Sequence, residues 1–198
     1  LTALMLAMVM VMALLAGCGS SAPADAPAAG AIKLGMCGPL TGGAAVYGTA
    51  VQAGMEIAVE EINAKGGLQF VLNCQDDEHD TEKAANAYNT LKDWGMQIMA
   101  GPVTTAPSNV VAAECANDQI FMLTPSASGA SVIEYGDNIF QICFTDPNQG
   151  TASADYMASH DLGSTIGVIY DSSDVYSTGI YEKFAAQAEA NGLNVATV

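Results

Sequence analysis

The sequence contains no arginine, and its 198 residues carry only 5 basic side chains, all lysine, against 21 acidic ones, for a formal net charge of -16. Binding DNA or RNA depends on neutralising phosphates with Lys and Arg, and five scattered lysines cannot build a basic stripe. Nucleic acid is therefore excluded as a partner, as are guanidinium clamps on phosphate or carboxylate groups. Catalytic signatures are also lacking. There is no G-x-S-x-G, no G-x-x-x-x-G-K-[ST] and no G-x-G-x-x-G, so hydrolase, P-loop and dinucleotide motifs are all missing. The two histidines, His79 and His160, lie far apart in the chain and read as surface residues rather than catalytic bases. Five cysteines include no CxxC spacing, which leaves a zinc or redox motif without support. Apolar residues are not lacking: 51% of the chain is hydrophobic and 13% charged, enough for a buried core and unlike a disordered acidic tail.

Only one apolar run is long. Leu1 to Gly17 holds no charge, consists apart from Thr2 of Leu, Ala, Met, Val and Gly, and is followed at once by Cys18. It reads as the h-region of a signal peptide, since a spanning helix needs about 20 residues. No initiator Met or basic segment precedes Leu1, so the true start is expected upstream. The stretch Leu15-Ala16-Gly17-Cys18 resembles the lipobox of bacterial lipoproteins, in which the Cys is lipidated and becomes the first mature residue. The alternative is a signal peptide or anchor in which Cys18 is incidental. Residues 18–31 are rich in Gly, Ser, Ala and Pro and are expected to form a flexible tether. Anchor, tether and globule together imply display outside the cytoplasmic membrane. The remaining cysteines, Cys37, Cys74, Cys115 and Cys143, each sit in an apolar run, as buried free thiols do. Cys37 with Cys74 is the one disulfide pairing to check.

From Ala31 onward, short apolar runs alternate with segments of helical period. The strand-like runs are Lys33–Cys37, Phe70–Cys74, Met96–Gly101, Ile120–Thr124, Ile139–Phe144, Thr165–Tyr170 and Leu193–Val198. Between the first two, Val51, Met55, Ala58, Val59 and Ile62 make one stripe of a helix over Gly48–Lys65, ended by Gly66-Gly67. Asp80 or Thr81 caps a second helix with the stripe Ala84, Tyr88 and Leu91, stopped by Gly95. A third helix is expected from near Ser108, and another over about Thr178 to Asn191. This alternation predicts an α/β fold with a parallel sheet flanked by helices.

Ligands of such sheets bind beyond the carboxyl ends of the strands. The loops there are Gly38 to Gly43, Pro102 to Ser108 and Pro125 to Gly129, and they offer hydroxyls, backbone N–H groups and helix N-termini but no cation. That chemistry suits an anion held by neutral donors. In any one loop the hydroxyls read as helix caps, whereas clusters on neighbouring loops fit a binding site equally well. The run Asp76-Asp77-Glu78-His79-Asp80 lacks the alternate spacing of a calcium loop and reads as a solvated cap at a helix N-terminus. Asp171 and Asp174 read as loop solvation or as residues of the cleft mouth.

Gly38-Pro39-Leu40-Thr41-Gly42 with Tyr47-Gly48, then Ile62-Asn63-Ala64-Lys65-Gly66-Gly67, closely resembles the branched-chain amino-acid (Leu/Ile/Val) binding proteins of bacterial ABC transporters. Gly101 to Thr105, Leu123-Thr124-Pro125-Ser126-Ala127 and Phe144-Thr145-Asp146-Pro147-Asn148-Gln149-Gly150 follow in the order and spacing of the same family. The resemblance implies a type I periplasmic-binding-protein fold: two α/β lobes, joined by crossover strands, that close on a ligand. It implies a first lobe over residues 32–146 and the truncated start of a second over 147–198. By the same resemblance, the ligand carboxylate is held by the hydroxyl and N–H of Thr105 and the N–H of Ser128. The ammonium is met by the carbonyl of Ser126 and the hydroxyl of Ser128, and Ala127 belongs to the same binding loop. Tyr47, Val103 and Tyr176 match positions lining the side-chain pocket, and the acidic partner of the ammonium falls beyond Val198. Family members with a disulfide near this rim have cysteines where this chain has His79 and Thr104.

The implied function is capture of a branched-chain or other aliphatic amino acid by a monomeric lipoprotein, anchored to the membrane by lipid, that feeds ABC permease subunits. The alternatives are a sensor domain with the same fold, or an amide or sugar as ligand. No catalytic residue, metal or cofactor is expected.

Overall fold

Every short apolar run from Ala31 onward becomes a strand, and the periodic segments between them become helices. The computed structural model describes residues 30–197; Leu1 to Gly17, Cys18 and most of the tether lie outside them. The order is β1 (Ile32–Gly38), α1 (Ala45–Ala64), β2 (Phe70–Asp76), α2 (Thr81–Trp94), β3 (Ile98–Ala100), α3 (Thr105–Asp118) and β4 (Phe121–Thr124). A 3-10 turn (Ala130–Glu134), β5 (Ile139–Gln141), α4 (Asp146–Ser159), β6 (Thr165–Val168), α5 (Val175–Ala190) and β7 (Asn194–Thr197) follow. Strands β2-β1-β3-β4-β5 form one parallel sheet, and β6 and β7 pair in parallel as a second. The fold is α/β, as the alternation predicts.

Local chemistry explains α2 best. Asp80 is its N-cap, with the side chain accepting from the Lys83 N–H, and Gly95 closes it in the left-handed region at φ 88°. The Met96 N–H then donates back to the Leu91 carbonyl at 3.0 Å, which satisfies a carbonyl the helix end leaves free. Its stripe of Ala84, Tyr88 and Leu91 is fully buried. These side chains meet Cys37, Met99 and Met122 from the sheet and Val111, Ala112 and Cys115 from α3 in a single core. The second sheet has a smaller core, in which Ala154, Phe184 and Ala188 pack with Ile166 and Val168.

Several boundaries differ from expectation. Helix α3 starts at Thr105 rather than near Ser108, because Pro107 falls in the first turn, where a missing N–H costs nothing. Helix α5 starts at Val175, three residues before Thr178, because Asp174 caps it by accepting from the Ser177 N–H at 3.1 Å. Helix α4 was not legible as a helix: it is polar, holds Pro147 in its first turn and Gly150 in its body, and its stability comes from packing on α5. Strand β5 ends at Gln141, so Cys143 lies in the following loop, where its Sγ donates to the Ala127 carbonyl at 3.1 Å. All four described cysteines are free thiols. The α1 stripe is only half covered: Val51, Met55 and Val59 are half-buried, Ala58 and Ile62 exposed, and Gly48 is the helix's one buried residue. Among the described residues no helix is long and apolar enough to cross a membrane.

Candidate functional site

Parallel pairing puts the carboxyl ends of β1 to β4 on one rim, so the loops that follow them converge. A cleft of about 360 Å³ opens there. Its walls combine the first turn of α1 (Ala44, Tyr47), the β2–α2 loop (His79), the β3–α3 junction (Val103, Thr104, Thr105), the loop after β4 (Ser126, Ser128), Phe144, and the start of α5 (Asp174, Tyr176). A wider trough of about 650 Å³ runs along α4, but it is more open, and apart from Phe144 it is lined by α4 and Leu162 alone rather than by several converging loops. The smaller cleft is the better candidate, since specific small-molecule sites join apolar walls to a few aimed polar groups.

Thr105 and Ser128 anchor the polar end, each 3% exposed. The Thr105 Oγ1 accepts from the Gly129 N–H at 3.3 Å, which leaves the hydroxyl proton to donate. The two loops are stitched together by Thr124, whose Oγ1 donates to the Pro102 carbonyl at 2.6 Å and accepts from the Ala127 N–H at 3.1 Å. Thr104 is the N-cap of α3, yet its side chain makes no cap to the helix. Its Oγ1 instead shares a 2.9 Å hydrogen bond with His79 Nδ1. Helix α3 therefore begins, without a side-chain cap, at the cleft end where Thr105 and Ser128 sit. An anion fits there.

Six of the seven expected cleft residues line this space: Tyr47, Val103, Thr105, Ser126, Ser128 and Tyr176. Ala127 does not; its side chain is in the core, and its carbonyl accepts from Gln141 Nε2 and Cys143 Sγ. Five lining residues were not among those expected to bind: Ala44, His79, Thr104, Phe144 and Asp174. His79 is exposed, as expected of a surface histidine, but it also forms part of the wall. Asp174, read as loop solvation or cleft mouth, both caps α5 and lines the cleft. Phe144 belongs to a quoted motif but carried no role, and Thr104 was legible as a loop hydroxyl and as the position of an absent cysteine.

The acidic run after β2 is not a solvated cap throughout. Asp76 accepts from the N–H groups of Leu40, Thr41 and Glu78 and from the Thr41 hydroxyl, clamping the β1–α1 loop. Burial alone would push its carboxyl up, but these hydrogen bonds outweigh it and hold it below the usual range. Asp77 is completely buried because its N–H continues the strand pairing to the Gly38 carbonyl and turns the side chain inward. Burial pushes its carboxyl up to about 6, the charges of Asp76 and Asp80 add to the rise, and the His79 N–H opposes it. No group of three or more metal-ligating side chains occurs among the described residues.

Residues 31–198 match the family model described as periplasmic binding protein. The chain belongs to the periplasmic binding protein family. A Leu/Ile/Val-binding protein homolog from Brucella melitensis biotype 1 is 32% identical over 181 residues, covering 89% of this chain and 47% of the relative. The leucine binding protein LivK of Thermotoga maritima matches with a TM-score of 0.79 at 27% identity, over 84% of this chain and 48% of that one. LivJ of Streptococcus pneumoniae, solved with isoleucine, matches with a TM-score of 0.78 at 26% identity, again over 84% and 48%. A solute binding protein from R. palustris, solved with benzoate, shares the fold at a TM-score of 0.77 and 24% identity, over 85% and 47%. The chain spans about half the length of the curated relatives it matches. Its fold is the type I periplasmic-binding-protein fold, and the cleft of this family member is formed on the strand ends of the five-stranded sheet.

Proposed function

We propose that the chain is the ligand-facing part of an extracytoplasmic solute-binding protein that captures an amino acid, branched-chain or otherwise aliphatic, for an ABC importer. One observation carries this reading: an uncapped α3 N-terminus, Thr105 and Ser128 meet in a cleft that no lysine lines. Neutral donors of this kind hold a carboxylate without the desolvation penalty of a buried cation. In this reading Thr105 and the Ser128 N–H take the carboxylate, while the Ser126 carbonyl and Ser128 hydroxyl take the ammonium. Tyr47, Val103 and Tyr176 form the apolar wall, and Ala127 supports the Ser126–Ser128 loop from the core.

Further parts of the proposal concern the whole protein. Residues 32–146 and 147–198 belong to two lobes that close on the ligand, the protein works as a monomer, and it delivers to permease subunits. Residues 1–17 form a signal peptide, Cys18 carries the lipid that anchors the protein, and residues 18–31 tether it. A Cys18→Ser variant is then expected in the soluble fraction, and one that still sediments with membranes refutes the anchor.

A second reading takes an aromatic carboxylate as ligand, favoured by the three rings of Tyr47, Phe144 and Tyr176 on the cleft wall. Titration calorimetry on the complete protein with leucine, isoleucine, valine and benzoate separates the two. Heat with the amino acids and none with benzoate supports the first reading; the reverse replaces it with the second.

A further inference from the structure

Asp146 is a buried carboxylate that the fold leaves without a counter-charge. It opens α4 just after the five-stranded sheet ends, is 2% exposed, and its Oδ1 has no hydrogen-bond partner. Its backbone N–H donates to the Ser128 carbonyl at 2.9 Å, so it is fastened to the loop that walls the cleft. Burial pushes its carboxyl above the usual range, and only the neighbouring Ser128 hydroxyl opposes that rise. On the other side Gly179 of α5 approaches so closely that a Cβ there would lie 3.3 Å from Oδ2. A second acid, Asp174, which lines the cleft, adds to the rise. The two ion pairs among the described residues, Lys83 with Glu78 and Lys92 with Asp118, are elsewhere. A buried charge without a partner is unfavourable unless something completes it, and the residue Asp146 is fastened to, Ser128, lines the cleft.

We propose that Asp146 is a positioning residue for ligand choice: it accepts a hydrogen bond from the Ser128 hydroxyl and, with Asp174, makes one end of the cleft an acidic pole for a cationic group. The Ser128 oxygen then turns its lone pairs to the cleft, where only a donor such as an ammonium satisfies them. A ligand with the same carboxylate and side chain but no ammonium leaves that oxygen and both acids unmatched, and is rejected. The inference rests on the amino-acid reading of the cleft and names the group that enforces it, within the chain rather than beyond Val198.

The test compares leucine with 4-methylpentanoate, its analogue without the amine, by calorimetry on the complete protein and on its Asp146→Asn variant, with melting curves to verify folding. The expected result is about a tenfold to hundredfold loss of leucine affinity in the variant, with 4-methylpentanoate unchanged or improved. A purely structural role would weaken both ligands alike, and that outcome overturns the inference, as does an unchanged ratio. Should Asp146→Asn fail to fold, Asp174→Asn carries the test, since Asn caps a helix as well as Asp. It is expected to lose severalfold for leucine alone, and no selective loss overturns the inference. Wild-type protein that binds leucine while the variant ratio stays fixed refutes only the role of Asp146. Wild-type protein that accepts 4-methylpentanoate as readily as leucine refutes the amino-acid reading as well.

Discussion

Thr104 and Thr105 are adjacent, yet their hydroxyls have different surroundings. Thr105 is buried, accepts from Gly129 and keeps its proton for the cleft, whereas Thr104 is held by His79. Removing a hydrogen bond to a charged group costs about 1.5–3 kcal/mol, so Thr105→Ala is expected to lose about tenfold to hundredfold in ligand affinity. Thr104→Ala, which loses only the His79 contact, is expected to bind within a few-fold of wild type. Calorimetry showing the opposite order would remove Thr105 from the carboxylate site. Asp77 offers a test of a different kind. Its raised carboxyl means that the folded chain holds this proton more tightly than the unfolded chain between about pH 4 and 6. The stability contributed by this group is therefore greatest near pH 4 and is lost as the pH rises through 6. Asp77→Asn, which keeps the acceptor for the His79 N–H, is expected to be more stable than wild type at neutral pH by about 1–3 kcal/mol, with the difference vanishing near pH 4. Denaturant melts at the two pH values measure it, and a variant weaker than wild type at neutral pH would show that the charged form is satisfied.

At the scale of elements, the joint between α4 and α5 depends on the absence of one side chain. A Cβ at Gly150 would lie 2.5 Å from the Ile180 carbonyl oxygen and 2.7 Å from the Phe184 nitrogen, both backbone atoms that no rotamer change can move. Gly150→Ala is accordingly expected to separate the helices and cost about 1–3 kcal/mol, as overpacking does. Gly167 in β6 has no atom within 4 Å of such a Cβ, and Gly167→Ala is expected to leave stability within about 0.5 kcal/mol. Thermal melts of the two variants, run side by side, test whether close helix approach rather than glycine content matters. The consequence reaches the cleft, because Asp146 begins α4 while Asp174 and Tyr176 begin α5.

For the molecule as a whole, the cleft is shallow on two sides. Tyr47 is 60% and Tyr176 40% exposed, and the second sheet has only two strands among the described residues. A pair of strands is marginal as an independent unit, and an open wall leaves water competing for every donor. The sequence given, tested by itself, is therefore expected to bind leucine only at about millimolar concentration, worth about 4 kcal/mol. Calorimetry of residues 31–198 against the complete protein is the comparison. Micromolar binding by the shorter chain would show that one lobe suffices and would end the two-lobe account.

The sequence by itself determined the features that arise within a few residues of one another. Strand order and type follow from short apolar runs, the ends of α2 from Asp80 and Gly95, and the hydroxyl clusters at Thr104-Thr105 and Ser126–Ser128 from their place after strands. The motifs from Gly38 to Gly150 also pointed to the family. Tertiary structure alone decided what became of charge and polarity. His79 and Thr104 are 25 positions apart and meet only because β2 and β3 flank β1 in one parallel sheet. Helix α4 exists because α5 receives Gly150, although its own residues have little helical pattern. Asp77 and Asp146 look like surface acids in a chain with 21 of them, yet both are buried. Periodicity and capping are local properties of the chain, whereas the burial of a carboxylate depends on which distant backbone closes over it.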